Sequence, residues 1–210
     1  MGGPLMERRR QQALKEIADA AWELFVRDGY EATTVEDIAA HAGCSPRTVY
    51  RYFGSKEELT FHGLAEVIAG FGRVLDARLA AGMDEWEAVT ESLVDFIARF
   101  DAGEERRIAE RTRLWQRETA LRTRYLQYAA QAEETLLDAL CRHRGTDPGD
   151  DDQAQLIAVS CIGAYRVAVA THGRDSASGG ITGHLRASLD LLAGGLAGGG
   201  IADDREAARG

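Results

Sequence analysis

The chain has 210 residues, 45% of them hydrophobic and 28% charged, a globular composition with room for one large domain or two small ones. Twenty-five Lys and Arg against 34 Asp and Glu leave a net charge of -9, whose field repels phosphate and excludes a generic polyanion binder. Three cysteines, Cys44, Cys141 and Cys161, contain no C-x-x-C pair, which excludes a disulfide framework and a thiolate zinc site and fits a reducing cytoplasm.

Apolar residues recur at helical spacing nearly throughout, with three prolines and no sustained period-2 run, so the expected fold is all-α with about nine helices. The opening MGGPLMERRR has no apolar segment behind its arginines, so no secretory signal is expected. In the first helix Leu14, Ile17, Ala18, Ala21, Leu24 and Phe25 form one stripe, ended by Gly29. Thr33 or Thr34 caps the second helix, with Val35, Ile38 and Ala39 inside and Gly43 in the following turn. Ser45 caps the third, with Pro46 at its first position, and Gly54 ends it. Ser55 and Glu58 read as a capping box for a fourth helix running to about Ala81. Further helices are expected over 84–101, 104–116 and 120–144. TDPGDDD (146–152) breaks the pattern. An apolar helix follows over 153–172; its stretch Leu156 to Ala170, interrupted by Arg166, reads as too short to span a bilayer. After a Ser/Gly linker at 176–180 comes a last helix, and the tail 201–210 is expected to be disordered.

Val35 to Phe53 reads as two short helices around a glycine turn, the helix-turn-helix unit whose second helix can enter the DNA major groove. Residues 1–62 hold eight basic and ten acidic side chains, yet none of the acids lies between Asp37 and Glu57. That window contains Arg47, Arg51 and Lys56 together with Thr48, Tyr50 and Tyr52, all donors suited to phosphates or base edges. The acidity of the whole chain therefore spares the one stretch that would face DNA.

The segment AAWELFVRDGYEATTVEDIAAHAGCSPRTVYRYFGSKEEL (20–59) resembles the DNA-binding domain of TetR-family transcriptional repressors. The resemblance implies a helix-turn-helix domain over 1–55 and a helical ligand-binding and dimerisation domain over 56–200. It implies DNA contacts from Thr34, Ser45, Pro46, Arg47, Thr48, Tyr50, Arg51, Tyr52 and Lys56. Arg47 and Thr48 would read base edges, and Tyr50, Tyr52, Thr34 and Lys56 would hold phosphates. Pro46 departs from the polar residue that other members often carry there. For Tyr50 and Tyr52 the alternative is that one packs inward, with Tyr50 favoured for DNA. Arg8 to Arg10 either reach a neighbouring minor groove or form a solvated helix start.

The last two helices resemble a pair that forms a four-helix bundle with a second subunit. Ile157, Cys161, Ala164, Tyr165, Ala168, Leu189, Leu192 and Leu196 are the candidate dimer interface; the alternative is that they bury themselves within the monomer. Within the family the second domain binds a small molecule, and Phe96, Phe100, Arg111, Trp115, Tyr125 and Tyr165 are the candidate lining, the aromatics being equally at home in an ordinary core. The run RTRLWQRETALRTRYL (111–126) is similar to regulators that take acyl-CoA-like ligands, and its arginines are either an anion site or exposed i,i+4 partners.

An enzyme finds little support: His41, His62, His143, His172 and His184 are scattered, and neither H-E-x-x-H nor G-x-S-x-G occurs. No catalytic residue, metal or cofactor is expected. The expected function is a cytoplasmic, dimeric repressor released from a palindromic operator by a small apolar or acyl-CoA-like effector, with no membrane partner. The alternative is a helical enzyme or adaptor that does not bind DNA.

Overall fold

The computed structural model describes residues 4–98, 102–172 and 180–195, and among these every regular element is a helix. In chain order they are α1 (Pro4–Asp28), α2 (Val35–His41), α3 (Pro46–Phe53), α4 (Lys56–Thr60), α5 (Leu64–Ala80), α6 (Glu85–Ala98), α7 (Ala102–Arg117), α8 (Thr119–Arg144), α9 (Asp152–His172) and α10 (Gly180–Ala193). These are ten helices rather than nine, because the stretch expected to run unbroken from Lys56 to Ala81 is two. Between them Gly63 adopts φ +79°, which a residue with a Cβ rarely takes, and the bend buries the Phe61 ring to 2% exposure.

The chain divides into two compact units, Met1–Val67 with Leu114–Leu126, and Ile68–Arg113 with Gln127–Gly210. The first therefore extends past residue 55. The α1 stripe of Leu14, Ile17, Ala21, Leu24 and Phe25 is buried, as are Tyr30, Val35, Ile38, Ala39, Val49 and Leu59. Phe61 stacks on Trp115 with centroids 4.7 Å apart, and Trp115 lies 5.9 Å from Tyr125. Arg124 pairs with Glu58 at 3.1 Å. Large aromatic side chains bury more area than any other type, and this stack draws the end of α7 and the start of α8 into the first unit.

The second unit buries Leu75 and Leu79 of α5, Val89 and Val94 of α6, Leu136 and Leu140 of α8, and Ile181, Leu185 and Leu189 of α10 around α9. On α9 most of the buried residues are small, Ala154, Ala158, Cys161, Ala164 and Ala168, with the larger Ile162, Val169 and His172 beside them. Burial pushes the Cys161 thiol up to about 12, so it is an inert filler. At 21 residues α9 is, by length and composition alone, long and apolar enough to cross a bilayer, contrary to the expectation from the shorter stretch Leu156 to Ala170. Its packed inner face makes it a core helix instead.

An ion network ties three helix ends of this unit. Arg144, at the end of α8, donates to Glu85 of α6 at 2.7 and 2.5 Å and to Asp151 at 2.8 Å. Asp151 caps α9 by accepting from the Ala154 N–H at 2.9 Å, and it accepts from the Thr146 hydroxyl at 2.8 Å. The Ala154 amide, Thr146 and Arg144 together hold its carboxyl below the ordinary 3.8. A depressed carboxyl contributes stability that is complete above its unfolded pKa and is lost as pH falls through the folded one. Arg144→Ala should cost about 2–3 kcal/mol at pH 7, less than the roughly 3–5 of a fully buried pair because the side chain keeps some contact with water. Urea unfolding measured at pH 7 and at about pH 3 should show the gap between wild type and variant narrowing as the carboxylates protonate. An undiminished gap in acid would mean that the arginine acts through packing alone.

Candidate nucleic-acid interface

The surface that can meet DNA is built on two capped helices. At the start of α2, Thr34 Oγ1 accepts from the Asp37 N–H at 3.1 Å, while the Asp37 carboxylate accepts from the Thr34 N–H at 3.0 Å. This reciprocal box chooses Thr34 over Thr33 as the cap. Thr33 is buried, and its hydroxyl donates to the Gly29 carbonyl at 2.8 Å. The hydrogen bonds from Thr34 hold the Asp37 carboxyl below its ordinary range. The turn after α2 closes through Gly43 at φ +65°, with the Cys44 N–H donating to the Ala39 carbonyl at 2.9 Å. Burial raises the Cys44 thiol, which leaves it protonated and suited to filling the turn.

Ser45 caps α3, its Oγ accepting from the Thr48 N–H at 3.2 Å, and Pro46 starts the helix at no hydrogen-bond cost. Val49 is the one residue of α3 that is fully buried, at 1% exposure. Its opposite face carries Arg47, Tyr50 and Arg51, spaced i, i+3, i+4 and all exposed. Thr48 and Tyr52 are half-buried at the flanks, and the Arg51 guanidinium lies 4.9 Å from the Tyr52 ring centroid. Tyr50 is thus the tyrosine that points to solvent, and Tyr52 supports its arginine neighbour. Arg8 to Arg10 are exposed on the first turns of α1, so they form a solvated helix start rather than an extended arm.

Lys56, expected to hold phosphate, has its side chain turned toward its own unit. Its ammonium donates to the carbonyls of Tyr30 at 2.9 Å and Thr33 at 3.2 Å and lies 4.1 Å from the Tyr30 ring centroid. Tyr30 is the partner that sequence reasoning missed, although the G-Y pair ending α1 was its visible signal. The box expected between Ser55 and Glu58 is only half made: Ser55 accepts from the Glu58 N–H at 3.3 Å, while the Glu58 carboxylate pairs with Arg124.

The expected effector residues are divided between the two units. Trp115 and Tyr125 belong to the aromatic stack of the first unit and are buried there, at 6% and 8% exposure. Phe96 and Tyr165 are half-buried against the core of the second unit, where Arg111 also lies. Phe100 falls outside the described residues. Of the nearby arginines, Arg106, Arg107, Arg113, Arg117 and Arg122 are exposed, in keeping with solvated helix faces. Among the described residues no group of three or more His, Cys, Asp or Glu could hold a metal.

The expected dimer face is also redistributed. Cys161, Ala164, Ala168 and Leu189 are buried in the core of their own chain, and Ile157, Tyr165 and Leu192 pack partly against it; Leu196 falls outside the described residues. A stripe of small apolar residues specifies a close helix neighbour but not whether that neighbour belongs to the same chain, and here it is α10. The reverse face of α9 carries exposed Leu156, Val159 and Val167, with Gly163 among them.

Residues 17–62 match the family described as bacterial regulatory proteins, tetR family, and residues 83–197 match the MftR C-terminal domain of such regulators. The HTH-type transcriptional regulator TcmR of Streptomyces glaucescens is 29% identical over 161 residues, covering 74% of this chain and 71% of the relative. Among solved structures, the fatty acid degradation regulator FadR of Bacillus halodurans superposes with a TM-score of 0.66 at 22% identity, covering 93% of this chain and 98% of that one. FadR of Thermus thermophilus, a repressor solved in complex with lauroyl-CoA, superposes at 0.56 and 21% identity, covering 90% and 96%. Two matched segments, one across the helix-turn-helix and one across more than half of the chain, agree with the capped α2–α3 unit and its acid-free α3. The chain belongs to the TetR family, and it is a helix-turn-helix DNA-binding transcriptional regulator rather than an enzyme.

Proposed function

We propose that the protein is a cytoplasmic homodimeric repressor that grips a palindromic operator with α3 and is released by an effector joining an acyl chain to an anionic head group. The observation that carries the DNA reading is the outer face of α3, where Arg47, Tyr50 and Arg51 stand exposed in a stretch free of acids. Arg47 is the base reader, since a guanidinium at the start of a recognition helix can fork onto guanine. Arg51, backed by Tyr52, holds phosphate, and Thr34, Ser45, Thr48 and Tyr50 supply neutral donors around it.

The dimer reading rests on the exposed face of α9. A Cβ at Gly163 would meet nothing within 4 Å, so nothing in the chain itself calls for glycine there. Glycine inside a helix is destabilising by about 0.5–1 kcal/mol relative to alanine, a cost offset if a second α9 crosses at that point. Leu156, Val159 and Val167 on either side supply an apolar surface that a two-fold axis would cover with itself. The effector class rests on the similarity of residues 111–126 to regulators of acyl-CoA-like ligands and on the lauroyl-CoA bound by the Thermus neighbour. Three free cysteines fit a reducing compartment.

Fluorescence anisotropy with DNA flanking the gene, against random DNA, tests the reading. Arg47→Ala should lose about 1–3 kcal/mol on operator and little on random DNA, because a base contact carries sequence information and a phosphate contact does not. Long-chain acyl-CoA should weaken operator binding, and operator should weaken acyl-CoA binding by the same factor. Equal losses on both DNAs would reduce Arg47 to a phosphate contact. Unchanged operator affinity at saturating acyl-CoA would remove that effector class.

A further inference from the structure

The G-S-K-E-E-L segment puts a lysine where DNA phosphate is expected to bind, yet the Lys56 side chain is turned into its own domain. Three partners converge on it. Its Nζ donates to the Tyr30 carbonyl at 2.9 Å and to the Thr33 carbonyl at 3.2 Å, and the Tyr30 ring lies beneath it at 4.1 Å. The residues it grips are themselves fixed: Tyr30 is 3% exposed and Thr33 2%, with the Thr33 hydroxyl bonded to the Gly29 carbonyl. All lie in the turn from α1 to α2, and the next residue is Thr34, the cap of α2.

An ammonium has three donors, and two are committed to carbonyls while its charge faces an aromatic ring. A phosphate would find one N–H left, and drawing the ammonium toward it would loosen its hold on the two carbonyls and the ring. Burial and the neighbouring Glu57 carboxylate push the Tyr30 phenol well above its ordinary value, so the ring stays neutral beneath the cation.

We propose that Lys56 is a positioning residue for DNA binding: its ammonium clamps the turn over residues 29–33, and so fixes Thr34 and α2, without itself reaching phosphate. The proposal rests on the DNA-binding function and goes beyond the role that the motif implies for this lysine. It also explains the residue type. Two converging carbonyls beside a ring face suit a compact charge on a flexible stem, whereas the planar fork of arginine suits phosphate better than this pocket.

The test compares Lys56→Met, Lys56→Arg and the wild type as full-length proteins, each checked for folding by circular dichroism. Operator affinity is measured across a salt series, and amide hydrogen exchange is followed over residues 29–34. A positioning role predicts faster exchange there in both variants. It also predicts about a tenfold loss of operator affinity, one or two charge-assisted hydrogen bonds expressed as a binding constant. The salt slope should stay unchanged, because the same phosphates remain neutralised. A lysine bound to phosphate predicts instead that the slope of log K against log salt becomes shallower by about 0.9 per phosphate in Lys56→Met, and that Lys56→Arg binds like wild type. Either of those results overturns the proposal. So does unchanged exchange over 29–34, a result read on the free protein and therefore decisive even if wild type were to bind no operator, which would overturn the repressor reading separately.

Discussion

Aspartates at Val159 and Val167 together are expected to turn the proposed dimer into monomers and to lower operator affinity by two or more orders of magnitude. Both side chains are more than half exposed in the single chain, so replacing them should leave each monomer folded. In a two-fold dimer crossing at Gly163 the four introduced carboxylates would be brought together in a desolvated interface, which like charges strongly disfavour. Operator binding would fall with the dimer because two linked half-site contacts exceed one by roughly 10²–10⁴. Sedimentation equilibrium reads the first effect and anisotropy on full and half operators the second. Binding to an isolated half-site should survive. A variant that still sediments as a dimer would move the interface off this face of α9.

Trp115→Ala is expected to destabilise the first unit by about 3–5 kcal/mol, the range for deleting a buried Trp or Phe side chain. The Trp115 ring is stacked on Phe61 and packed near Tyr125, and its residue is 6% exposed. Phe61→Ala should cost a similar amount, and the double variant less than the sum of the two, since each single change already breaks the stack. Urea unfolding gives the energies. A residue lining an effector site behaves differently: its removal would weaken acyl-CoA binding at nearly unchanged stability. That outcome would return Trp115 to the pocket which the sequence assigned it.

Two expectations for the helical domain left alternatives open for one and the same reason. Hydrophobic periodicity reports that a face is buried, not what buries it. Trp115 and Tyr125, among the aromatics clustered on the middle helices, suit a pocket or an ordinary core equally, and Phe61, which stacks on Trp115, lies 54 positions away from it in the chain. Cys161, Ala164 and Ala168 looked like a subunit interface for the same reason, and α10 of the same chain takes that place. The break at residues 61–63 was visible as Gly63, but a lone glycine inside a periodic run is tolerated in many helices. The burial of Phe61 decides here that it is a turn.

Local chemistry, by contrast, was legible residue by residue. Gly29 and Gly54 end α1 and α3 with positive φ, Ser45 and Pro46 open α3, and Ser55 caps α4, because each of these choices is settled within three or four residues. The absence of acids between Asp37 and Glu57 located the DNA-facing helix against a net charge of -9, since a contact surface a few ångströms across responds to its own charges more than to the sum. The sequence by itself therefore determined the all-helical class, the helix-turn-helix and the family. The tertiary structure alone decided which way the long side chains turn. Lys56 chose two carbonyls and a ring over solvent, and α9 chose which of its two apolar faces to keep inside. Such choices depend on groups brought together from distant parts of the chain, and no local pattern encodes the distance between them.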